Sequence, residues 1–173
     1  MIFTTQQNLS CCAPQTKSSY LCPTCEQKGQ KLQSQTIKAQ LKKALLSSIS
    51  VSLENFNFCT NATCDTVYYA DDRSVHFGQS AIKTKVTLKN SDPKTPLCYC
   101  RKLLKEDVYK MINNKETNIS QKVRDIIASG KSVCEKSNPK GICCTEDVKY
   151  FLETLAIPWE ADQTSKFSIK PPS

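Results

Sequence analysis

The sequence predicts an α+β protein in which a small antiparallel β module precedes a module of three helices. Residues 50–90 are rich in β-branched and aromatic side chains broken by turn signals, which is typical of three or four short strands. After the polar stretch 91–96, apolar residues recur three times at helical spacing. Only 39% of the 173 residues are apolar, so the core is thin and we expect something else to stabilise it.

A short helix is expected before the strands. Ile37, Leu41, Ala44 and Leu45 recur at helical spacing, and Thr36 stands where an N-cap residue would lie. The strands follow, with turns expected where the sequence reads Asp-Asp and Phe-Gly within residues 71–78.

Three helices are expected after residue 96. Each has an apolar stripe on one face: Leu104, Val108, Met111 and Ile112 in the first, Ile119, Val123, Ile126 and Ile127 in the second, and Val148, Phe151, Leu152 and Leu155 in the third. Asn118 is placed to cap the second helix and Gly130 to end it. The third helix begins near Thr145 and ends before Pro158.

The chain therefore divides into four segments. Residues 1–20 form a flexible leader, 21–92 the β module, 93–157 the helical module and 158–173 a disordered tail. The N-terminus, MIFTTQQNLS, lacks the basic start and apolar run of a secretory signal, and no apolar run is long enough to span a membrane. We therefore expect a cytoplasmic protein with no membrane insertion.

Eleven cysteines are the most unusual feature of the composition. In an oxidising compartment such a number indicates disulfides, and in a reducing one it indicates bound metal. Because the count is odd and no secretory signal is present, we expect thiolate ligands, with disulfides or unrelated buried thiols as the alternative. The single His argues against a histidine-rich catalytic zinc site.

Two cysteine pairs in the β module have spacings that suit zinc. Cys22 and Cys25 enclose two residues, and Cys59 and Cys64 enclose four. Two tight turns that each offer two thiolates can close a tetrahedron around one Zn²⁺, which would supply folding energy to strands too short to be stable alone. Iron in the same site and buried thiols without metal are the alternatives.

A second set of cysteines flanks the helices. Cys98 and Cys100 enclose one residue, Cys134 follows two helices later, and Cys143 and Cys144 precede the third helix. A helix N-terminus offers free N–H donors and partial positive charge to an anionic cluster. We therefore favour Cys144 over Cys143 as the fourth ligand of a [2Fe–2S] site. A second zinc and a dithiol redox pair are the alternatives.

The combined motifs resemble one known family. CPTC with KGQ nearby, CTNATCDTVYY, CYC and CEKSNPKGICC together look like the N-terminal domain of CopZ-type copper chaperones, over roughly residues 20–155. The second half of that domain is similar to bacterioferritin-associated ferredoxins (BFD), which have a helical [2Fe–2S] fold. The resemblance implies a zinc-stapled antiparallel β module followed by a three-helix, BFD-like [2Fe–2S] module.

The resemblance also implies the ligands and the activity. Zinc would be bound by Cys22, Cys25, Cys59 and Cys64, and the cluster by Cys98, Cys100, Cys134 and Cys144. In the family, the domain is thought to couple the cluster to copper reduction and to transfer of Cu(I) to a copper-exporting ATPase. We therefore expect an electron-transfer or metal-chaperone protein rather than an enzyme, with a copper-reducing activity allowed for. Its expected partner is a copper-transporting ATPase, a separate copper chaperone or a redox protein.

One feature of the family is expected to be absent. Such chaperones carry a second, ferredoxin-like βαββαβ domain with an M-x-C-x-x-C copper loop, and nothing after Leu155 could encode it. Cys11 and Cys12 remain as candidates for a Cu(I) site, because thiolates prefer soft metals. A leader that binds nothing is the alternative.

The net charge of +8 raises a second class of function, an interaction or nucleic-acid-binding module in which both cysteine sets hold zinc. The lysines are scattered, however, and Lys38, Lys42 and Lys43 lie beside the polar face of a helix. A solvated surface explains the charge better, so nucleic acid is not the expected partner. No hydrolase or nucleotide-binding motif is present.

Overall fold

A four-stranded antiparallel sheet, ordered as in the chain, forms the first module. In the computed structural model, which describes residues 21–159, its strands are β1 (Gln30–Lys31), β2 (Phe56–Phe58), β3 (Thr66–Ala70) and β4 (His76–Gly78). Phe58 pairs with Tyr68 across the central two strands. All five residues of β3 are buried, which is why this strand reads as an almost continuous run of β-formers.

The helix predicted from Thr36 onward is split into α1 (Ser34–Gln40) and α2 (Lys43–Leu46). Thr36 lies inside α1 and does not cap it, so that part of the prediction is wrong. The helix breaks at Leu41, which is extended and forms an isolated β-bridge with Ile82. Tertiary backbone pairing has therefore overridden the local helical spacing.

The sheet and α1 bury one apolar core. Its fully buried members include Ile37, Leu41, Phe56, Phe58, Val67 and Tyr68. Phe56 stacks on Phe77 with ring centroids 6.1 Å apart, and Phe58 meets Tyr68 edge to face at 6.4 Å. Contacts among these large aromatic residues stabilise the short sheet, which in turn holds the loops that follow its strands.

The second module contains a hairpin and four helices. The hairpin pairs β5 (Pro96–Cys98) with β6 (Leu103–Leu104), and the helices are α3 (Lys105–Asn113), α4 (Ile119–Ala128), α5 (Cys134–Ser137) and α6 (Thr145–Thr154). The sequence predicts α3, α4 and α6. It misses the hairpin and α5, because elements of two to four residues show no periodicity.

A second core joins the hairpin to these helices. Its buried apolar members are Leu97, Leu103, Val108, Val123, Val148 and Leu152. Gly130 has φ +77° just after α4, so the predicted helix stop is confirmed. Asn118 occupies the N-cap of α4 but makes no side-chain capping hydrogen bond. Trp159 packs against this core, with the Arg124 guanidinium 5.6 Å from its ring.

Residues 91–96, which join the two modules, are anchored in the fold at Thr95. Thr95 is fully buried, and its carbonyl accepts a hydrogen bond from the Lys105 backbone N–H at 3.1 Å. The described chain is thus a mixed α+β fold whose two modules are in direct contact. Within residues 21–159, none of the helices is long and apolar enough to cross a membrane. The predictions for the leader and for the tail beyond residue 159 fall outside the described residues.

Candidate metal centres

The first predicted cysteine set forms a compact cluster. The four Sγ atoms of Cys22, Cys25, Cys59 and Cys64 all lie within 4.8 Å of one another. The sulfurs of Cys22 and Cys64 are 3.9 Å apart, and those of Cys25 and Cys59 are 3.7 Å apart. Four bonds of about 2.3 Å to a tetrahedral Zn²⁺ would place sulfurs ~3.8 Å apart, so the geometry fits one such ion.

Two tight turns present these thiols. In the first, the Glu26 backbone N–H donates to the Cys22 carbonyl at 2.9 Å, and Glu26 adopts a left-handed φ of 58°. In the second, Asn61 Oδ1 accepts a hydrogen bond from the Thr63 backbone N–H at 3.0 Å. The turn predicted between Cys59 and Cys64 is therefore present, and its asparagine side chain closes it.

Neighbouring side chains fix these turns and add positive charge. The hydroxyls of Thr24 and Thr66 are 2.7 Å apart, which ties the first turn to β3. Lys89 Nζ donates to the carbonyl of Cys64 at 3.0 Å and also to that of Asn61. An ammonium group beside the second turn offsets part of the negative charge that four thiolates would carry. The sequence pattern gave no sign of this role for Lys89.

The thiols of the compact cluster differ in acidity. Burial raises the pKa of Cys59 to about 12, despite the opposing charge of Lys89, and burial also raises the pKa of Cys64. Burial acts in the same direction on Cys25, but the Gln27 backbone N–H and the neighbouring thiols outweigh it and lower the pKa of Cys25 to about 7. Full deprotonation of the set at neutral pH therefore requires a bound cation, as in metal sites built from thiolates.

The second predicted set lines one cavity. This cavity, of about 70 Å³, is lined by Cys98, Cys100, Arg101, Ile127, Ser132, Cys134, Cys143 and Cys144. The thiols come from three places in the second module: the end of β5, the start of α5 and the residues just before α6. The fold thus brings together all the cysteines that the sequence assigned to a cluster.

Four of these thiols form two close pairs. The sulfurs of Cys100 and Cys134 are 3.4 Å apart, and the thiols of Cys98 and Cys144 are close enough for each to shift the pKa of the other. Within residues 21–159, the donor atoms of the first set all lie within 4.8 Å of one another, and those of the second set do not. The second set is therefore more spread out than a single tetrahedral ion requires. Two pairs of thiolates suit a pair of bridged iron atoms, with one pair for each.

Hydrogen-bonding groups surround the first of these pairs. The Val133 backbone N–H donates to Cys100 Sγ at 3.4 Å, and the Ser137 hydroxyl lies 3.0 Å from the same sulfur. The Ser132 hydroxyl lies 3.0 Å from Cys134 Sγ. The cysteine spacing gives no sign of either serine, although their closeness to Cys134 in the chain is a signal that could have identified them.

Each pair contains one thiol of lowered pKa and one of raised pKa. The neighbouring Cys144 thiol lowers the pKa of Cys98 to about 6, and Cys98 in turn raises the pKa of Cys144. Burial raises the pKa of Cys134 to about 11. Burial also acts on Cys100, but hydrogen bonds from Ser137 and from a backbone N–H outweigh it and lower its pKa. These are environments in which thiolates form readily when a cation binds.

The two adjacent cysteines before α6 differ in burial. Cys144, the N-cap residue of α6, is 1% exposed, whereas Cys143 is exposed with its sulfur 3.0 Å from the Thr145 hydroxyl. None of the nine cysteines within the described part of the chain forms a disulfide. Cys11 and Cys12 lie outside that part.

Side chains of the first module hold the segment 134–141, which consists of the short helix α5 and the turn after it and which we call the clamped loop. Its backbone carbonyls accept five hydrogen bonds: from Thr36 to Glu135 at 2.7 Å, from Gln40 to Lys136 at 2.7 Å and to Ser137 at 3.0 Å, from Tyr68 to Pro139 at 2.8 Å, and from Gln30 to Lys140 at 2.9 Å. Gly141 ends the loop with φ +69°, and a Cβ there would lie 2.6 Å from Thr36 Oγ1. The position of Cys134, which starts this loop, therefore depends on the first module.

Comparison with known proteins supports metal binding by the first module. Residues 19–83 match the family model of a zinc binding domain, zf_CopZ. All four thiols of the compact cluster lie inside that match. The match ends before the thiols of the second centre.

Two further comparisons extend over both modules. The copper chaperone CopZ of Archaeoglobus fulgidus is 30% identical over 138 residues, which are 79% of this chain and 62% of that protein. The chain thus spans about three fifths of the length of this curated relative. The X-ray structure of the Archaeoglobus fulgidus CopZ N-terminal domain matches with a TM-score of 0.64 and 27% identity, covering 80% of this chain and 98% of that one. The described fold is therefore similar to that of the N-terminal domain of a copper chaperone.

Proposed function

We propose that this protein handles metals through two separate centres, a structural zinc in the first module and a redox-active [2Fe–2S] cluster in the second. Cys22, Cys25, Cys59 and Cys64 would bind the zinc, and Cys98, Cys100, Cys134 and Cys144 the cluster. The observation that carries the proposal is the difference between the two sets: one is compact enough for a single ion, and the other consists of two pairs on one cavity.

The zinc is proposed to stabilise the fold rather than to react. Zn²⁺ has no redox chemistry, and a site closed by four thiolates has no open position for a substrate. Its place between the first turn and the loop after β2 suits that role, because the strands beside it have only two to five residues. Zinc would therefore keep in place the sheet from which Tyr68 and Gln30 reach the clamped loop.

The second module is proposed to transfer single electrons. A [2Fe–2S] group, when bound, supplies one-electron chemistry, and its potential depends on hydrogen bonds to sulfur and on exposure to solvent. The chain provides the donors for this around Cys100 and Cys134. Cys144 suits the fourth ligand position because it is buried beside Cys98, while Cys143 lies at the solvent-exposed edge of the cavity.

We further propose a role in copper homeostasis in the cytoplasm, on the strength of the likeness to a copper chaperone. One electron converts Cu(II) to Cu(I), the ion that thiolates prefer. A copper-transporting ATPase, a separate copper chaperone or a redox protein would then be the partner. Cys11 and Cys12 are proposed as a Cu(I) site, which copper titration of the wild-type chain against a Cys11→Ser/Cys12→Ser variant would test.

Spectroscopy of anaerobically purified protein tests the proposal of two centres. We expect visible charge-transfer bands, a rhombic EPR signal after reduction, and zinc at one atom per chain. Cys98→Ser should abolish the bands and leave the zinc in place, whereas Cys22→Ser should lose the zinc. A colourless wild-type protein with two zinc atoms per chain would contradict the proposal and would favour the double-zinc interaction or nucleic-acid module. Loss of zinc from Cys98→Ser would show that the thiols are wrongly divided.

A further inference from the structure

The guanidinium of Arg101 lies beside the second centre and has no role in the function proposed above. Arg101 directly follows Cys100 and lines the same cavity as the five cysteines. Its Nη2 donates to the Lys131 carbonyl at 2.8 Å, but its Nε is buried and has no hydrogen-bond partner. A buried N–H without an acceptor costs free energy, so an unfilled donor beside a cavity indicates a missing acceptor.

The surroundings keep this side chain in place. The bond to the Lys131 carbonyl holds one end of the guanidinium against the loop after α4. Gly130 lies in that loop, and a Cβ there would be 3.3 Å from Nη1, so the loop fits closely around the group. The positive charge also lies beside the site, since Arg101 lines the same cavity as Cys98 and Cys134. The donor and the charge therefore stand beside thiols of both pairs.

We propose that Arg101 is a potential-tuning residue, whose Nε–H donates a hydrogen bond to a sulfur of a [2Fe–2S] cluster held in this cavity. The inference rests on the proposed function, because it needs the cluster to be present. Reduction adds one electron and one negative charge to the cluster and breaks no bond to the protein. A hydrogen bond and a cation stabilise the more negative state, so Arg101 raises the reduction potential.

A structural role alone would have a different signature. If Arg101 acted only by holding the Lys131 carbonyl, its loss would lower the amount of cluster bound without changing the potential of the molecules that keep it. A redox titration followed by EPR separates the two, because the midpoint depends on the ratio of reduced to oxidised cluster and not on the total.

The test compares midpoint potentials of wild type, Arg101→Met and Arg101→Lys in anaerobic titrations with dithionite. We expect Arg101→Met to make reduction at least tenfold less favourable, a fall of about 59 mV for one electron, and Arg101→Lys to lie between the two. Arg124→Met is the matched control, since it removes the same charge from α4 at a residue that does not line the cavity. It should shift the midpoint far less.

Pulsed EPR of the wild-type protein gives a second test that needs no variant. With ¹⁵N-labelled arginine, the reduced cluster should show a hyperfine coupling to an arginine nitrogen. An unchanged midpoint potential in Arg101→Met overturns the inference. If Arg101→Met does not bind the cluster, the absence of the arginine coupling in the wild-type protein overturns it instead. In both cases the proposal that a cluster is present still stands. A wild-type protein with no EPR signal at all instead overturns the proposed function itself.

Discussion

The hydrogen bond between Tyr68 and Pro139 provides a direct test of whether the first module holds the clamped loop. Tyr68 is fully buried in β3, and its hydroxyl donates to the Pro139 carbonyl at 2.8 Å across the interface between the modules. Tyr68→Phe removes that hydroxyl and keeps the ring, so the contacts of the ring with Phe58 remain.

The expected magnitude follows from what the substitution leaves behind. Pro139 is itself buried, so its carbonyl would lose a partner in a place that water does not reach easily. Leaving a buried acceptor unpaired costs about 1–3 kcal/mol. We therefore expect the loop to open roughly tenfold more often, which corresponds to about 1.4 kcal/mol.

Hydrogen exchange of the zinc-loaded protein measures this opening. The Asn138 and Gly141 amides report on the loop, since they donate to the carbonyls of Cys134 at 3.0 Å and Asn138 at 2.8 Å. They should exchange about tenfold faster in Tyr68→Phe, while amides of β2 keep their protection. Tyr150→Phe is the matched control, because the Tyr150 side chain is 67% exposed and should leave the loop unaffected.

Two results would refute this reasoning. Unchanged exchange in the loop would mean that the Tyr68 hydroxyl does not hold it. Equal acceleration of the loop and of β2 would mean that the hydroxyl stabilises the first module as a whole and has no specific effect on the clamped loop.

Three further experiments test other parts of the structure. Cys64→Ser should reduce the zinc content well below one atom per chain and unfold the first module, because a ligand is lost. Circular dichroism together with zinc analysis checks this. Retained zinc with a native spectrum would contradict it. Cys144→Ser should abolish the visible bands while Cys143→Ser keeps them, since Cys144 is buried and Cys143 is exposed; the reverse pattern in absorption spectra would exchange their roles. Gly141→Ala should lower stability by at least about 1 kcal/mol, because its φ is +69° and the new Cβ would lie 2.6 Å from Thr36 Oγ1. An unchanged melting temperature would show that Thr36 can move aside.

More of the candidate site than of the fold could be predicted from the sequence. Cysteine spacing grouped Cys22 with Cys25 and Cys59 with Cys64, and the structure brings these four sulfurs within 4.8 Å of one another. The reason is that short turns fix the direction of both thiols, so two local signals define most of the geometry. The α+β order and the three longer helices were also predictable, because strand composition and helical spacing are local properties.

The remaining features depend on contacts between residues far apart in the chain. The break at Leu41 is caused by its pairing with Ile82, which no local pattern shows. The clamped loop accepts its hydrogen bonds through backbone carbonyls, and these are the same for every residue type. The orphaned Nε of Arg101 likewise becomes visible only when the cavity around it is known.

Native mass spectrometry of the anaerobically purified chain tests the central claim most directly. If eight cysteines form one inert centre and one redox-active centre, we expect a single species that carries one zinc together with two irons and two sulfides. A species that carries two zinc atoms and no inorganic sulfide would contradict the account.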